Sequence, residues 1–127
     1  MNYGQIMLYL RPQASNGVEY FAHADGVMWV GPGVGPTQQE IADAELPAAK
    51  SFAVAANRAE ARRRILARWP LEQQSSATLG IYPQSVADTM RANIAAVIAA
   101  ENDAADLIDA ATTVAEVEAV VPNWPVI

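Results

Sequence analysis

The segment Val18–Val30 has the sequence VEYFAHADGVMWV. Two short runs rich in β-branched and aromatic residues, Val18–His23 and Val27–Val30, flank the tripeptide Ala24-Asp25-Gly26. An Asp-Gly pair between such runs is a strong local signal for a β-hairpin, because both residues tolerate positive φ. We therefore predict two antiparallel strands joined by a tight turn.

The aromatic content of this hairpin indicates that it packs against something else. A lone two-stranded hairpin is marginally stable in water. Because side chains alternate along a strand, neighbouring residues in each run point to opposite faces, so one of each pair can anchor the hairpin while the other meets a partner. We predict four partner-binding residues on this basis: Tyr20, Phe21, Met28 and Trp29.

A short helix is predicted before the hairpin. Four apolar residues recur at helical spacing and Pro12 limits the segment: Tyr3, Ile6, Met7 and Leu10. A strand is the alternative, but the consecutive apolar residues Ile6–Leu10 lack the alternation of a half-buried strand.

After the hairpin, Gly31–Pro36 has the composition of a loop. Thr37-Gln38-Gln39-Glu40 is a capping box, in which the Thr hydroxyl accepts the N3 amide and the Glu side chain reaches back. It predicts a helix to about Leu46, interrupted or kinked at Pro47, and then a long helix that closes at Pro70.

The rest of the chain, from Leu71 onward, is predicted to be mostly helical as well. Leu71–Tyr82 is ambiguous between a short helix and a turn. Pro83 suits the N1 position of the longest helix, which runs to about Ala111. Thr113–Glu116 repeats the capping-box signature and starts a last short helix, and Pro122–Ile127 is an extended tail.

The expected fold class is α+β, with an N-terminal short helix and β-hairpin followed by an Ala-rich helical C-terminal half. The chain contains 26 alanines, mostly in its second half, and alanine has the highest helix propensity. Residues 1–46 hold the helix, the hairpin and the start of the capped helix, and residues 47–127 form the helical region. A length of 127 residues suits one domain overall.

A heptad seam runs along the longest predicted helix. Its members step by four and three, with one acidic exception: Met90, Ile94, Val97, Glu101, Ala104, Ile108 and Ala111. Such a seam is either intramolecular core, which is the more usual outcome, or a contact between copies. The residues predicted for self-association are Met90, Ile94, Val97 and Ile108.

Charge is distributed unevenly within a net charge of −6. Five arginines crowd residues 58–68, whereas every charge after Arg91 is acidic. We expect these two helical segments to face each other, within one chain or between copies. The acidic total disfavours nucleic acid as the main partner, because binding phosphates needs a surplus of cations.

The chain has few residues of the types that act as catalysts or metal ligands, and we expect no enzyme activity, no cofactor and no metal site. His23 is the only histidine, and Cys is absent. Asp103, Asp106 and Asp109 lie three apart and are expected to form a solvated helix face, because a rigid helix rarely surrounds a hard cation. Gly31–Pro36 lacks the lysine of a phosphate-binding loop.

The order of elements in residues 3–46 resembles a known family. A helix ends in Tyr9–Pro12, the strand Val18–Phe21 and the Asp-Gly turn follow, and Val27–Trp29 leads to Pro36–Ile41 at a helix start. This pattern resembles the small XkdW-like proteins of contractile-tailed bacteriophages and phage-like elements. Here Arg11-Pro12 stands where that family has Tyr-Pro, and the second strand is shorter.

The resemblance implies a non-catalytic tail-fibre-associated assembly protein (a chaperone) or a structural adaptor. Its partner would be a phage tail-fibre or baseplate protein, and a homo-oligomer, with a trimer favoured, is expected because fibres are commonly trimeric. No apolar run approaches the ~20 residues of a membrane span, and the start of the chain lacks signal-peptide features. We therefore expect the host bacterial cytoplasm during assembly, with or without retention in the virion tail. The alternatives are a small ligand-binding module or enzyme, and a helical nucleic-acid-binding regulator using the arginine segment.

Overall fold

The computed structural model describes all residues, Met1–Ile127. It contains five helices and two strands in the order α1 Tyr3–Leu10, β1 Tyr20–His23, β2 Gly26–Trp29, α2 Gln38–Arg68, α3 Leu71–Thr78, α4 Gln84–Ala110 and α5 Val114–Glu118. The predicted α+β layout, a short helix and a hairpin followed by helices, is confirmed.

The β-hairpin is shorter than the sequence predicts. β1 and β2 pair antiparallel, with Tyr20 opposite Trp29 and His23 opposite Gly26, so the loop consists of Ala24 and Asp25. Of the two residues of the Asp-Gly pair, only Gly26 has a positive φ, since no residue other than glycine does so in this chain. Before β1 the chain turns through Ser15–Glu19, which keeps Val18 out of the strand.

Helix α2 begins at the predicted cap. The backbone N–H of Glu40 donates to Oγ1 of Thr37 over 3.1 Å. The Glu40 carboxylate does not reach back to the cap, since it lies 3.7 Å from the guanidinium of Arg11 instead. This ion pair joins the end of α1 to the start of α2.

Pro47 lies inside α2, and the predicted interruption there is wrong. Proline removes one backbone hydrogen bond from a helix interior. Ala44 and Ala48 are both buried, so packing holds the helix on either side of the proline. The boundary between residues 46 and 47 therefore falls within one continuous helix that runs through both parts of the chain.

The N-terminal core is a cluster of Ile6 from α1 with Ile41, Ala44 and Ala48 from α2. Val27 of the hairpin packs against it, and α1 also contacts β1. The hairpin is therefore seated on the N-terminal end of the molecule rather than on α4 or α5.

Helices α2 and α4 pack antiparallel. Nζ of Lys50 donates to the carbonyl oxygen of Asp109 over 2.6 Å, and Nε of Arg58 lies 3.5 Å from Oε1 of Glu101. The expected pairing of a basic with an acidic segment is thus confirmed at one ion pair, which also explains the acidic member of the seam. Two other arginines of the basic segment, Arg63 and Arg64, bind Glu60 within α2 instead of an acidic residue of α4.

The remaining helices attach to this pair. α3 settles the ambiguity of residues 71–82 in favour of a short helix, although none of its residues is buried. Pro83 occupies the N-cap of α4 rather than N1. α5 begins where predicted, with the N–H of Glu116 donating to Oγ1 of Thr113 over 3.1 Å, and its Val117 packs against Ile108.

Candidate partner-binding surface

The two faces of the hairpin have different surroundings. The strand register places Tyr20, Ala22, Val27 and Trp29 on one face, termed the inner face, and Phe21, His23 and Met28 on the other, termed the outer face. Tyr20 is 1% exposed, and Val27 packs on the N-terminal cluster. Met28 is 54% exposed and its cross-strand neighbour Phe21 is half-buried. One residue of each neighbouring pair thus anchors the hairpin while the other is directed away from the core.

The outer face is apolar and carries no formal charge of its own. Phe21 and Met28 lie directly opposite each other, so their side chains form a cross-strand pair. Val30, which follows β2, is also 54% exposed. Exposed His23 lies beside the turn, where Asp25 contributes the only carboxylate of the hairpin tip.

Trp29 is held in place by the loop that follows it. Its Nε1 donates to the carbonyl oxygen of Gly33 over 3.3 Å. A Cβ added at Gly31 would lie 3.0 Å from Cζ2 of Trp29, and one added at Gly35 would overlap Cβ and Cγ of the same side chain. The glycines of this loop therefore let the backbone wrap closely around an indole, a role that the composition alone did not predict.

The outer edge of β1 is closed by the chain itself. The N–H of Gly17 donates to the carbonyl oxygen of Tyr20 over 2.7 Å, and the N–H of Ala22 donates to Oδ1 of Asn16 over 3.2 Å. Asn16 thus closes the edge as a short isolated bridge. Another strand cannot pair there without displacing this segment.

The outer edge of β2 is open. The N–H of Val30 donates to the carbonyl oxygen of Glu19 over 2.7 Å and so points toward β1. Along a strand, the N–H and C=O groups of successive residues point alternately toward and away from the neighbouring strand. Val27 lies opposite Ala22 and Trp29 lies opposite Tyr20, and these are the residues whose backbone groups point away from the hairpin partner. Val27 and Trp29 therefore direct their N–H and C=O groups away from β1. No hydrogen bond elsewhere in the chain uses these groups. Both outward-facing residues of β2 thus leave their ladder groups unpaired, whereas Gly17 and Asn16 occupy groups on the edge of β1.

The four residues predicted for self-association lie mostly in the core of a single chain. Met90, Val97 and Ile108 are 4%, 0% and 1% exposed, and Ile94 is half-buried. The heptad seam is therefore intramolecular packing in this structure. Three of these side chains cannot reach another copy while α4 stays packed on α2.

The residues weighed for other chemistry do not converge. His23 lies on the exposed outer face, and no group of three or more His, Cys, Asp or Glu residues is arranged to hold a metal ion. Asp103, Asp106 and Asp109 are all exposed along α4. The most perturbed carboxyl is that of Glu60, whose pKa is lowered from 4.5 to about 2, mainly by the hydrogen bond from Arg63.

An apolar groove lies along α2. This groove has a volume of about 510 Å³ and lies between the start of α1 and α5, with Ala49, Phe52 and Ala53 of α2 at its base. Met1 and Val117 stand on its opposite walls. The sequence did not indicate it, because its walls come from the two ends of the chain and meet only after folding.

The comparisons add no relative to this picture. No family model, curated protein or solved structure matches the chain. The resemblance to the phage family therefore stays a prediction. None of the helices combines the length and the apolarity that a membrane span requires.

Proposed function

We propose that the protein is a non-catalytic, phage tail-fibre-associated assembly protein or structural adaptor that binds a tail-fibre or baseplate chain through the outer face of its hairpin. The protein acts in the host bacterial cytoplasm during assembly, and retention in the virion tail is the alternative fate. Its phage setting rests on the family resemblance of residues 3–46. Its binding surface rests on the structure of the hairpin.

One observation carries the choice of surface. Met28 is 54% exposed although it lies in a hairpin whose Tyr20 is buried almost completely. The side chains of Phe21 and Met28 point away from the core although the hairpin is anchored by its inner face. Packing within this chain therefore does not explain why this face is apolar. Contiguous exposed apolar surface is typical of a site that another protein covers, whereas a single exposed apolar residue is not, and Phe21, Met28 and Val30 lie together on this face.

The mode of action follows from the chemistry of this face. The pair Phe21 and Met28 offers aromatic and thioether surface, and both residue types are enriched at the centres of protein interfaces. A partner chain that packs an apolar segment against Phe21 and Met28 would keep that segment shielded from water until assembly. This shielding would suppress unwanted association of that segment, which is the physical task of an assembly chaperone.

The test is co-expression with any tail-fibre and baseplate chains encoded near its gene, followed by measurement of the affinity of the purified pair. Truncation of a residue at the centre of an interface costs about 2 kcal/mol or more, or roughly a thirtyfold loss of affinity. We expect this loss for Met28→Ser.

Leu107→Ser is the matched control, because Leu107 is 61% exposed but lies on α4. It should bind like the unchanged protein. Equal binding by all three proteins would refute the assignment of the hairpin. Failure of every neighbouring tail chain to bind the unchanged protein would refute the function.

A further inference from the structure

The open edge of β2 has a geometry that is complementary to itself. Its unpaired backbone groups belong to Val27 and Trp29, which are two residues apart. In an antiparallel pair, hydrogen-bonded positions alternate with positions that are not hydrogen-bonded. When two β2 strands meet with Met28 opposite Met28, Val27 of each copy lies opposite Trp29 of the other.

This register uses every free group of the edge. Each of the two residues offers one donor and one acceptor, so each Val27–Trp29 pair forms two hydrogen bonds and the two pairs form four. If the two-fold axis lay at Val27, residues of the turn would have to join the β-ladder between the copies. If it lay at Trp29, residues of the following loop would have to do so. The spacing of the free groups therefore selects one two-fold arrangement.

The side chains of β2 do not oppose such pairing. Edge strands are usually protected by lysine, proline or an inward charge, and Gly26–Val30 contains none of these. β1 is closed by Asn16, so association at its edge is blocked. α1 packs on β1, the strand farther from the open edge, and so does not stand between two β2 strands.

We propose that a second copy of this chain pairs with β2, forming a four-stranded antiparallel sheet across a two-fold axis at Met28. The outer faces of the two hairpins then lie side by side, with two Phe21–Met28 pairs on one continuous surface. A pairing over so few residues belongs to the class of small, transient interfaces. It closes at two copies, in contrast to the trimer that the family resemblance favours.

Cysteine cross-linking tests the pairing on the full-length chain, which contains no cysteine of its own. Residues opposite each other at a position without hydrogen bonds have Cα atoms about 4.5 Å apart, within the range for a disulfide. Met28→Cys should therefore form a disulfide-linked dimer under mild oxidation.

His23→Cys is the control, because His23 is exposed on the same face but lies in β1. Its counterpart would be three strand spacings away across the sheet and displaced along the strands as well, more than about 14 Å in all, which is too far for a disulfide. We expect Met28→Cys to cross-link about tenfold faster or more than His23→Cys at equal concentration, because pairing raises the effective concentration of the two thiols. Equal rates, or no cross-linking of Met28→Cys, would overturn the proposal.

A second variant tests the pairing without a thiol. Met28→Lys puts two like charges opposite each other on the two-fold axis, and the position is exposed enough to accept lysine in the folded chain. Sedimentation at high concentration should show self-association of the unchanged protein and its loss in Met28→Lys. A monomer in both cases refutes the pairing but leaves the proposed tail-chain binding standing, because that binding is measured separately with Met28→Ser.

Discussion

Tyr20→Ala is the substitution that best separates the anchoring side of the hairpin from its free side. Tyr20 is 1% exposed and is the largest fully buried side chain of the molecule. Its removal would leave a cavity beneath β1 where the hairpin meets the rest of the chain. Met28→Ala is the matched variant, since it truncates the same hairpin on the outer face.

The expected magnitudes differ several-fold. Truncation of a buried aromatic residue to alanine costs about 3–5 kcal/mol of unfolding free energy, whereas exposed positions usually change it by no more than about 0.5 kcal/mol. At roughly 4 °C per kcal/mol for a chain of this size, Tyr20→Ala should lower Tm by about 12–20 °C. Met28→Ala should shift Tm by no more than about 2 °C.

Thermal and urea unfolding, followed by circular dichroism at 222 nm, measure both effects on the same scale. Phe21→Ala should fall between the two variants, because Phe21 is half-buried. If Met28→Ala destabilises the protein as strongly as Tyr20→Ala, the outer face is part of the core and the assignment of the two faces is refuted. An unchanged Tm for Tyr20→Ala would refute the anchoring role of Tyr20.

Three further predictions concern the helices and the glycine loop. Glu101→Leu removes a carboxylate whose side chain is only 16% exposed and leaves Arg58, which is 75% exposed, in solvent, so Tm measured by calorimetry should stay equal or rise; a clear fall would contradict this. The pKa of Glu60 in the folded protein is lowered to about 2 by Arg63, so its contribution to stability is complete above pH 4.5 and is lost as the pH falls toward 2; an NMR titration of Glu60 near 4.5 would contradict it. Gly35→Ala places a Cβ against Trp29 and should lower stability by roughly 1–3 kcal/mol while shifting the indole N–H resonance; an unchanged resonance would contradict the wrapped loop.

Local signals in the sequence were sufficient for most of the elements. The spacing of Ile6 and Met7, the cap at Thr37 and the cap at Thr113 each depend on residues within one or two turns, and the structure confirms all three. The continuation of α2 through Pro47 could not be predicted in this way. A proline costs helix stability locally, and only packing on both sides, which comes from distant residues, offsets that cost.

The candidate surface was predictable in part for the same reason. Strand alternation separates Tyr20 from Phe21, but it does not say which of them faces the core. That choice depends on α1 and the N-terminal cluster, which are brought to one side of the hairpin by the tertiary fold. The seam residue Val97 shows the converse case, since its heptad position does not say whether the facing helix belongs to the same chain.

Methyl NMR of methionine tests the central claim most directly. The chain has four methionines, of which Met7 and Met90 are buried, Met28 lies on the outer face and Met1 is 55% exposed beside the α2 groove. With the methyl groups labelled and the co-expressed tail-fibre or baseplate chain added, the Met28 signal should shift or broaden while the other three stay in place. A shift of Met1 with an unchanged Met28 would contradict the account, because the partner would then occupy the groove and not the hairpin.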